Sequence, residues 1–211
     1  MGLRRFESAI EPLEPGSENS VIALYGRLQV EQLLLNTDPN VRREGIRYAD
    51  LATETVLLLL NHLQQENNFL VLETLMLAFE KSKDDQVVAP MLALLGSEDV
   101  WLRNRAQEVL LQFPHSVMEQ VRSVYAISKT DEKIFLMNLM KDLVHPRVAA
   151  CVIEVLQTET EVNVVAAALE VLLEIGDATC LPVLDALMAR FEGNTFISFS
   201  IESVKERVLD L

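Results

Sequence analysis

The sequence predicts an all-α fold in which about five helix pairs stack into one array, with a capping helix at each end. Half of the residues are hydrophobic and only 6% are aromatic, a balance typical of packed helices rich in Leu, Val and Ala. A polar stub followed by an apolar residue recurs at intervals of 29 to 32 residues. Two apolar runs fit between successive recurrences, which is room for two helices and two turns.

The repeat is defined by one apolar anchor residue in each unit. The anchors are Val41, Leu70, Leu102, Ile134, Val164 and Phe196. Three places before the anchor, Asp38 and Asp99 are suited to cap a starting helix. Four places after it, a small residue such as Ala106 lets a partner helix approach, and we expect the anchor and the residue five places later to face the core. The units therefore begin near residues 37, 66, 98, 130, 160 and 194.

Two residues break this pattern. Gln107 and Asp142 stand where the third and fourth units should carry apolar residues, so those two helices are expected to be rotated or to face something other than core. Residues 20–211 are expected to form the single array, and residues 1–19 an irregular leader. An apolar stripe predicts an N-terminal cap helix, and it consists of Val21, Leu24, Tyr25, Leu28 and Leu35.

Helix pairs of about 30 residues opened by Asp38-Pro39-Asn40-Val41-Arg42 resemble HEAT repeats, in particular the short bacterial form also found in phycobilin lyases. The resemblance covers roughly residues 37–211, and Gly176-Asp177 matches a turn common in that form. It implies an α-solenoid with a concave face available to partners, and no particular activity. It also implies a structural ladder in which arginines pair with carboxylates, here Asp38, Arg42, Asp99 and Arg103.

A competing interpretation makes the same arginines a nucleic-acid groove. The only basic cluster comprises Arg42, Arg43 and Arg47, joined by Arg103 and Arg105. The net charge of −14 disfavours binding to phosphate backbones and anionic lipids. No targeting signal or run of roughly 20 apolar residues is present, so we expect a cytoplasmic protein without a membrane span.

Residue spacing gives little sign of catalysis. His62/Glu66 and His115/Glu119 each place an imidazole and a carboxylate one helical turn apart, which we interpret as surface pairs because no third metal ligand recurs in register. The two cysteines, Cys151 and Cys180, are expected to be buried structural thiols. With no phosphate loop and no nucleophile elbow, the sequence predicts a non-enzyme without metal or cofactor.

Three features indicate partner-binding surfaces. Residues 148–189 hold seven carboxylates and no Lys or Arg, which predicts either an acidic surface for a basic partner segment or a solubilising exterior. Trp101 is either an interface anchor or an inter-repeat filler. The last helix carries apolar residues around much of its circumference, which predicts contact with a partner or a second copy unless its charged residues suffice as an outer face. The candidate binding residues are Trp101, Glu154, Glu170, Glu174, Asp177, Phe199 and Val208.

The sequence as a whole predicts a non-catalytic scaffold or adaptor that binds a protein partner. An accessory chaperone or lyase-type subunit acting on a substrate protein is the alternative. Nucleic-acid binding ranks third, because of the charge.

Overall fold

The structure, a computed structural model, describes residues 24–210, and every regular element in that range is helical. The predicted all-α fold is confirmed for this part of the chain, whereas the predicted leader, residues 1–19, lies outside it. Two short 3₁₀ turns, Asp85–Val87 and Ala178–Cys180, precede α5 and α11. The α-helices are α1 Arg27–Leu34, α2 Pro39–Arg47, α3 Thr53–Leu63, α4 Phe69–Lys81, α5 Val88–Leu94, α6 Val100–Leu110, α7 Pro114–Ile127, α8 Thr130–Asp142, α9 Val148–Thr158, α10 Val162–Ile175, α11 Leu181–Arg190 and α12 Thr195–Leu209.

The even-numbered helices α2 to α12 begin close to the predicted unit starts, and the odd-numbered helices α3 to α11 lie between them. Local chemistry fixes these starts. The Asp38 carboxylate accepts the Asn40 amide at 2.9 Å, and Asp99 accepts the amides of Trp101 and Leu102. None of the described helices has the length and apolar character needed to cross a bilayer.

Each helix packs on a neighbour in sequence, and several also pack on the helix two places further along the chain. Among the even-numbered helices, α2 packs on α4, α4 on α6, α8 on α10 and α10 on α12. Among the odd-numbered helices, α5 packs on α7 and α9 on α11. One continuous cluster of buried apolar side chains runs through the described residues from Val30 to Val208.

The predicted core residues are buried in α10, where Val164 and Leu169 are both fully buried, but α4 buries a different face. Leu75, five places after its anchor, is fully buried, but the anchor Leu70 is 47% exposed. The prediction was wrong for α4 because five residues advance an α-helix by about 140° beyond a full turn, so the two side chains point in different directions and both are buried only where the helix is covered on more than one side. Val71, four residues before Leu75, is the buried partner instead.

Small residues four places after the anchor do allow close helix approach. A Cβ atom at Gly45 would lie 2.8 Å from the Leu33 Cβ, so α1 and α2 touch through the missing side chain. Ala106 and Ala168 are fully buried, whereas Asn138 is only partly buried.

The two residues that break the repeat pattern bind each other. Gln107 Nε2 on α6 donates to Asp142 Oδ2 on α8 at 3.2 Å. The Arg103 guanidinium lies 4.3 Å from the centroid of the Phe135 ring, again between α6 and α8. These helices approach each other less closely than the other even-numbered pairs. We call this side-chain contact the α6–α8 junction.

The N-terminal cap helix is shorter than predicted and buries a different face. It begins at Arg27 and buries Val30 and Leu34, whereas Leu28 and Leu35 are exposed. The chain before it is held by backbone hydrogen bonds, from the Tyr25 amide to the Tyr48 carbonyl and from the Asp50 amide to the Tyr25 carbonyl. The predicted apolar stripe was therefore wrong, and Val21, its first member, lies outside the described residues.

Candidate interaction surface

An exposed aromatic pair marks the starts of α4 and α6. Phe69 is 53% exposed, and its ring lies against Trp101 with the centroids 4.7 Å apart and the planes tilted by 54°. Leu70 and Val100 beside them are also exposed. We call these four residues the aromatic surface. Trp101 packs against Phe69 and stays partly accessible. Its ring therefore combines the contact expected of an inter-repeat filler with the exposure expected of an interface anchor.

The exposed face of α4 continues from the aromatic surface toward its C-terminal end. Leu77 lies two turns after Leu70 and is likewise exposed, and Lys81 follows one turn later. Between this exposed face of α4 and helix α2 lies a cleft of about 140 Å³. We call it the α2–α4 cleft, and its lining residues are Arg43, Ile46, Arg47, Ala49, Leu51, Glu73, Thr74, Leu77, Ala78 and Lys81.

Positive charge dominates the α2–α4 cleft. Arg43 Nε donates to Thr74 Oγ1 at 3.2 Å, and within residues 24–210 neither Arg43, Arg47 nor Lys81 forms an ion pair. Leu51 at its edge has a φ of 52°, a left-handed conformation that is uncommon for a leucine.

The other members of the predicted basic cluster are engaged elsewhere. Arg105 pairs with Glu80 at 2.6 Å and with Glu108. Arg103 donates to the Ser97 carbonyl at 2.7 Å, so the expected pair with Asp99 does not form. Of the five arginines, only Arg43 and Arg47 line the α2–α4 cleft.

Arg42 binds Glu66 of the next unit rather than Asp38. Its Nε and Nη2 donate to the two oxygens of Glu66 at 2.7 and 3.0 Å, and His62 Nε2 lies 2.9 Å from the same carboxylate. The Glu66 side chain is only 4% exposed, so the pair that we interpreted as a surface contact is buried. Asp38 instead caps α2. We call Arg42, His62 and Glu66 the Glu66 bridge.

Glu159 has the same arrangement in the second half of the array. Lys133 Nζ donates to it at 2.8 Å and the Tyr125 hydroxyl donates to the same oxygen, while its other oxygen accepts the amides of Thr160 and Glu161. Burial raises the pKa of Glu159, but the hydrogen bonds from Lys133, Tyr125 and the two amides outweigh burial and lower it to about 2. Burial likewise raises the pKa of Tyr125, and the bond to Glu159 raises it further. We call Tyr125, Lys133 and Glu159 the Glu159 bridge.

Both bridges follow one rule of turn geometry. Glu66 and Glu159 stand two residues before the N-cap positions of α4 and α10, and each accepts the N-cap amide. Asn36 and Ser97 occupy that position before α2 and α6 and do the same. Sequence reasoning missed this, although the polar residue two places before each cap is visible in the sequence.

The acidic segment is not free of cations in space. Arg122 pairs with Glu154, and Lys141 approaches Glu170 to 3.7 Å, both from preceding helices. Asp185 pairs with Lys205 on α12. Glu174 and Glu161 are exposed, and hydrogen bonds from the Thr179 hydroxyl and then from the Thr179 amide lower the pKa of Asp177. Cations from other helices therefore pair with four of the seven carboxylates of residues 148–189, whereas Glu161, Glu174 and Asp177 form no ion pair among the described residues.

The last helix presents one of the two predicted contact residues. Phe199 is 68% exposed and Phe196 beside it is also exposed, whereas Val208 is 8% exposed and packs in the core with Ile197, Ile201 and Val204. Val208 therefore packs α12 against the rest of its own chain and is not available to a partner.

No metal site or activated nucleophile is visible among residues 24–210. No three potential ligands come together there, and His115 and Glu119, 3.2 Å apart, form an exposed pair. Burial raises the pKa of the half-buried Cys151 thiol and of the buried Cys180 thiol, so both favour the protonated form.

The two bridges predict an acid-sensitive fold. Burial raises the pKa of Glu66, but hydrogen bonds from Arg42, the amides of Asn68 and Asn67, and His62 lower it to about 2. A carboxylate with a depressed native pKa stabilises the fold above its unfolded pKa, and this contribution disappears as pH falls from about 4.5 to about 2. We expect the free energy of unfolding, measured in urea, to fall over this range, and to fall less in a Glu66→Gln variant. An equal loss in both proteins would contradict the assignment.

No protein-family model matches this chain, and a search of curated proteins finds no significant match.

Proposed function

We propose that this protein is a non-catalytic scaffold of HEAT-like repeats that binds a protein partner through the aromatic surface. The sequential packing of even-numbered helices on one another, and of odd-numbered helices beside them, supports an α-solenoid arrangement. The regular spacing of the anchors supports the same interpretation.

The observation that carries the proposal is the exposed stack of Phe69 and Trp101. Aromatic side chains bury a large area at low entropic cost and dominate binding energy at protein interfaces. Here they stand side by side at the surface, flanked by exposed Leu70 and Val100, rather than singly. Neighbouring Asn68 and Asp99 cap the two helices that carry these rings.

The chemistry of the titratable groups supports binding rather than catalysis. Glu66 and Glu159, the two carboxylates whose pKa is lowered to about 2, are occupied by cations and backbone amides that link helices. A general acid or base needs a pKa near the working pH and access to a substrate.

We expect a Phe69→Ala, Leu70→Ala variant to bind the partner at least about tenfold more weakly, because truncating an interface aromatic commonly costs 1 to 2 kcal/mol or more. The partner is isolated by affinity capture from native extract, and its affinity is then measured by titration. Trp101, the only tryptophan, reports binding through a shift of its fluorescence emission to shorter wavelength.

Phe199→Ala is the matched control, because Phe199 is also an exposed aromatic residue but lies on α12, far from α4 along the chain. Loss of affinity in the control with none in the Phe69 variant would move the binding site to α12. Capture of no protein by either would refute the scaffold function.

A further inference from the structure

The α2–α4 cleft is a basic site in an acidic protein. Three cations, Arg43, Arg47 and Lys81, and one carboxylate, Glu73, line it, although the chain carries a net charge of −14. None of the three cations forms an ion pair among residues 24–210. The apolar side chain of Leu77 is 42% exposed at its wall. A segment that carries carboxylates with apolar residues between them complements this lining.

The first described residues of the chain lie beside the cleft. The Tyr25 backbone is hydrogen-bonded on both sides of Ala49, to the Tyr48 carbonyl at 2.6 Å and to the Asp50 amide at 3.0 Å. Ala49 and Leu51 both line the α2–α4 cleft. The residues that precede Leu24 are therefore joined to the structure at the edge of the cleft.

The sequence of that segment fits the cleft chemically. Residues 7–18 contain no Lys or Arg, and they hold four glutamates with two large aliphatic residues between them, namely Glu7, Ile10, Glu11, Leu13, Glu14 and Glu18. The six residues from Glu18 to Leu24 reach up to about 20 Å when extended, which is ample for a site beside Tyr25. Docking within one chain also benefits from an effective concentration on the order of millimolar.

We propose that residues 7–18 dock in the α2–α4 cleft of their own chain, with glutamates against Arg43, Arg47 and Lys81 and with Ile10 or Leu13 against Leu77. Three cations and about 140 Å³ suit a short peptide segment, whereas a nucleic-acid backbone engages many more phosphates along a longer groove. The inference is independent of the proposed function, because docking needs no partner.

The test is zero-length cross-linking of the full-length chain with a water-soluble carbodiimide, followed by mass spectrometry of the peptides. The reagent joins a carboxylate to an amine with loss of water, and Lys81 is the only amine lining the cleft. We expect Lys81 to be linked to glutamates of residues 7–18. Exposed Lys129, at the start of α8, is the internal reference and should show no such link.

Two variants make the result specific. Reversing Arg43→Glu and Arg47→Glu should lower the yield of the Lys81 link about tenfold, whereas Arg147→Glu, a reversal at an exposed arginine before α9, should leave it unchanged. Changing Glu11→Gln and Glu14→Gln lowers the yield without touching the helical array, so a folding defect in the first variant does not obscure the outcome.

Isotope mixing identifies the chain that supplies the glutamates. In an equal mixture of unlabelled and ¹⁵N-labelled protein, docking within one chain gives links between peptides of the same isotope only. Mixed links would show that a second copy occupies the cleft and would overturn the proposal. So would equal linking at Lys81 and Lys129, or a yield indifferent to the arginine reversals.

Discussion

Replacing Ala106 with Asp lowers the free energy of unfolding by about 3 kcal/mol or more, because the change buries a carboxylate without a partner. Ala106 is fully buried on α6, which packs on both α4 and α5. The expected loss is measured by urea denaturation, with the midpoint and the slope compared to those of the parent protein.

Ala186→Asp provides the matched control. Ala186 is exposed in the middle of α11, so the same substitution there changes little beyond helix propensity, about 0.5 kcal/mol. Equal destabilisation by the two substitutions would show that Ala106 does not lie in a packed interface.

Replacing Glu66 with Ala is expected to cost about 3 kcal/mol, because it leaves the partly buried Arg42 guanidinium and the His62 ring without their carboxylate. It also frees the amides of Asn67 and Asn68 at the start of α4. A double-mutant cycle with Arg42→Ala separates the coupling between the two side chains from the loss of the backbone hydrogen bonds.

Glu119→Ala is the control for this substitution. Glu119 and His115 have the same spacing as Glu66 and His62, but both side chains are more than half exposed. An exposed pair of this kind contributes at most about 1 kcal/mol. A similar cost at both sites would mean that burial of the Glu66 bridge is not the source of its stabilising effect.

The sequence predicted what depends on local pattern. Helix starts at Asp38 and Asp99 follow from capping chemistry, and the small residue at Ala106 follows from the repeat. Which face of a helix is buried required correct helical geometry, and the pairing of Leu70 with Leu75 did not satisfy it.

The candidate sites were less predictable because they depend on contacts between units. Glu66 and His62 are near in sequence, but Arg42, which binds the same carboxylate, lies 24 residues away from Glu66. Likewise, Lys141 and Arg122 lie outside the acidic segment whose carboxylates they pair with. The α2–α4 cleft combines residues of two helices, so no single stretch of sequence displays it.

The α6–α8 junction has a mechanical consequence. In an array whose helices contact mainly their neighbours, a load applied to the two ends passes through every junction in series, so the most compliant one yields first. The helices α6 and α8 approach each other less closely than the other even-numbered pairs, so fewer packed side chains resist a change in their separation. We therefore expect elastic bending of the molecule to be concentrated near its middle, with the helices up to α6 and those from α8 onward moving as two stiffer arms.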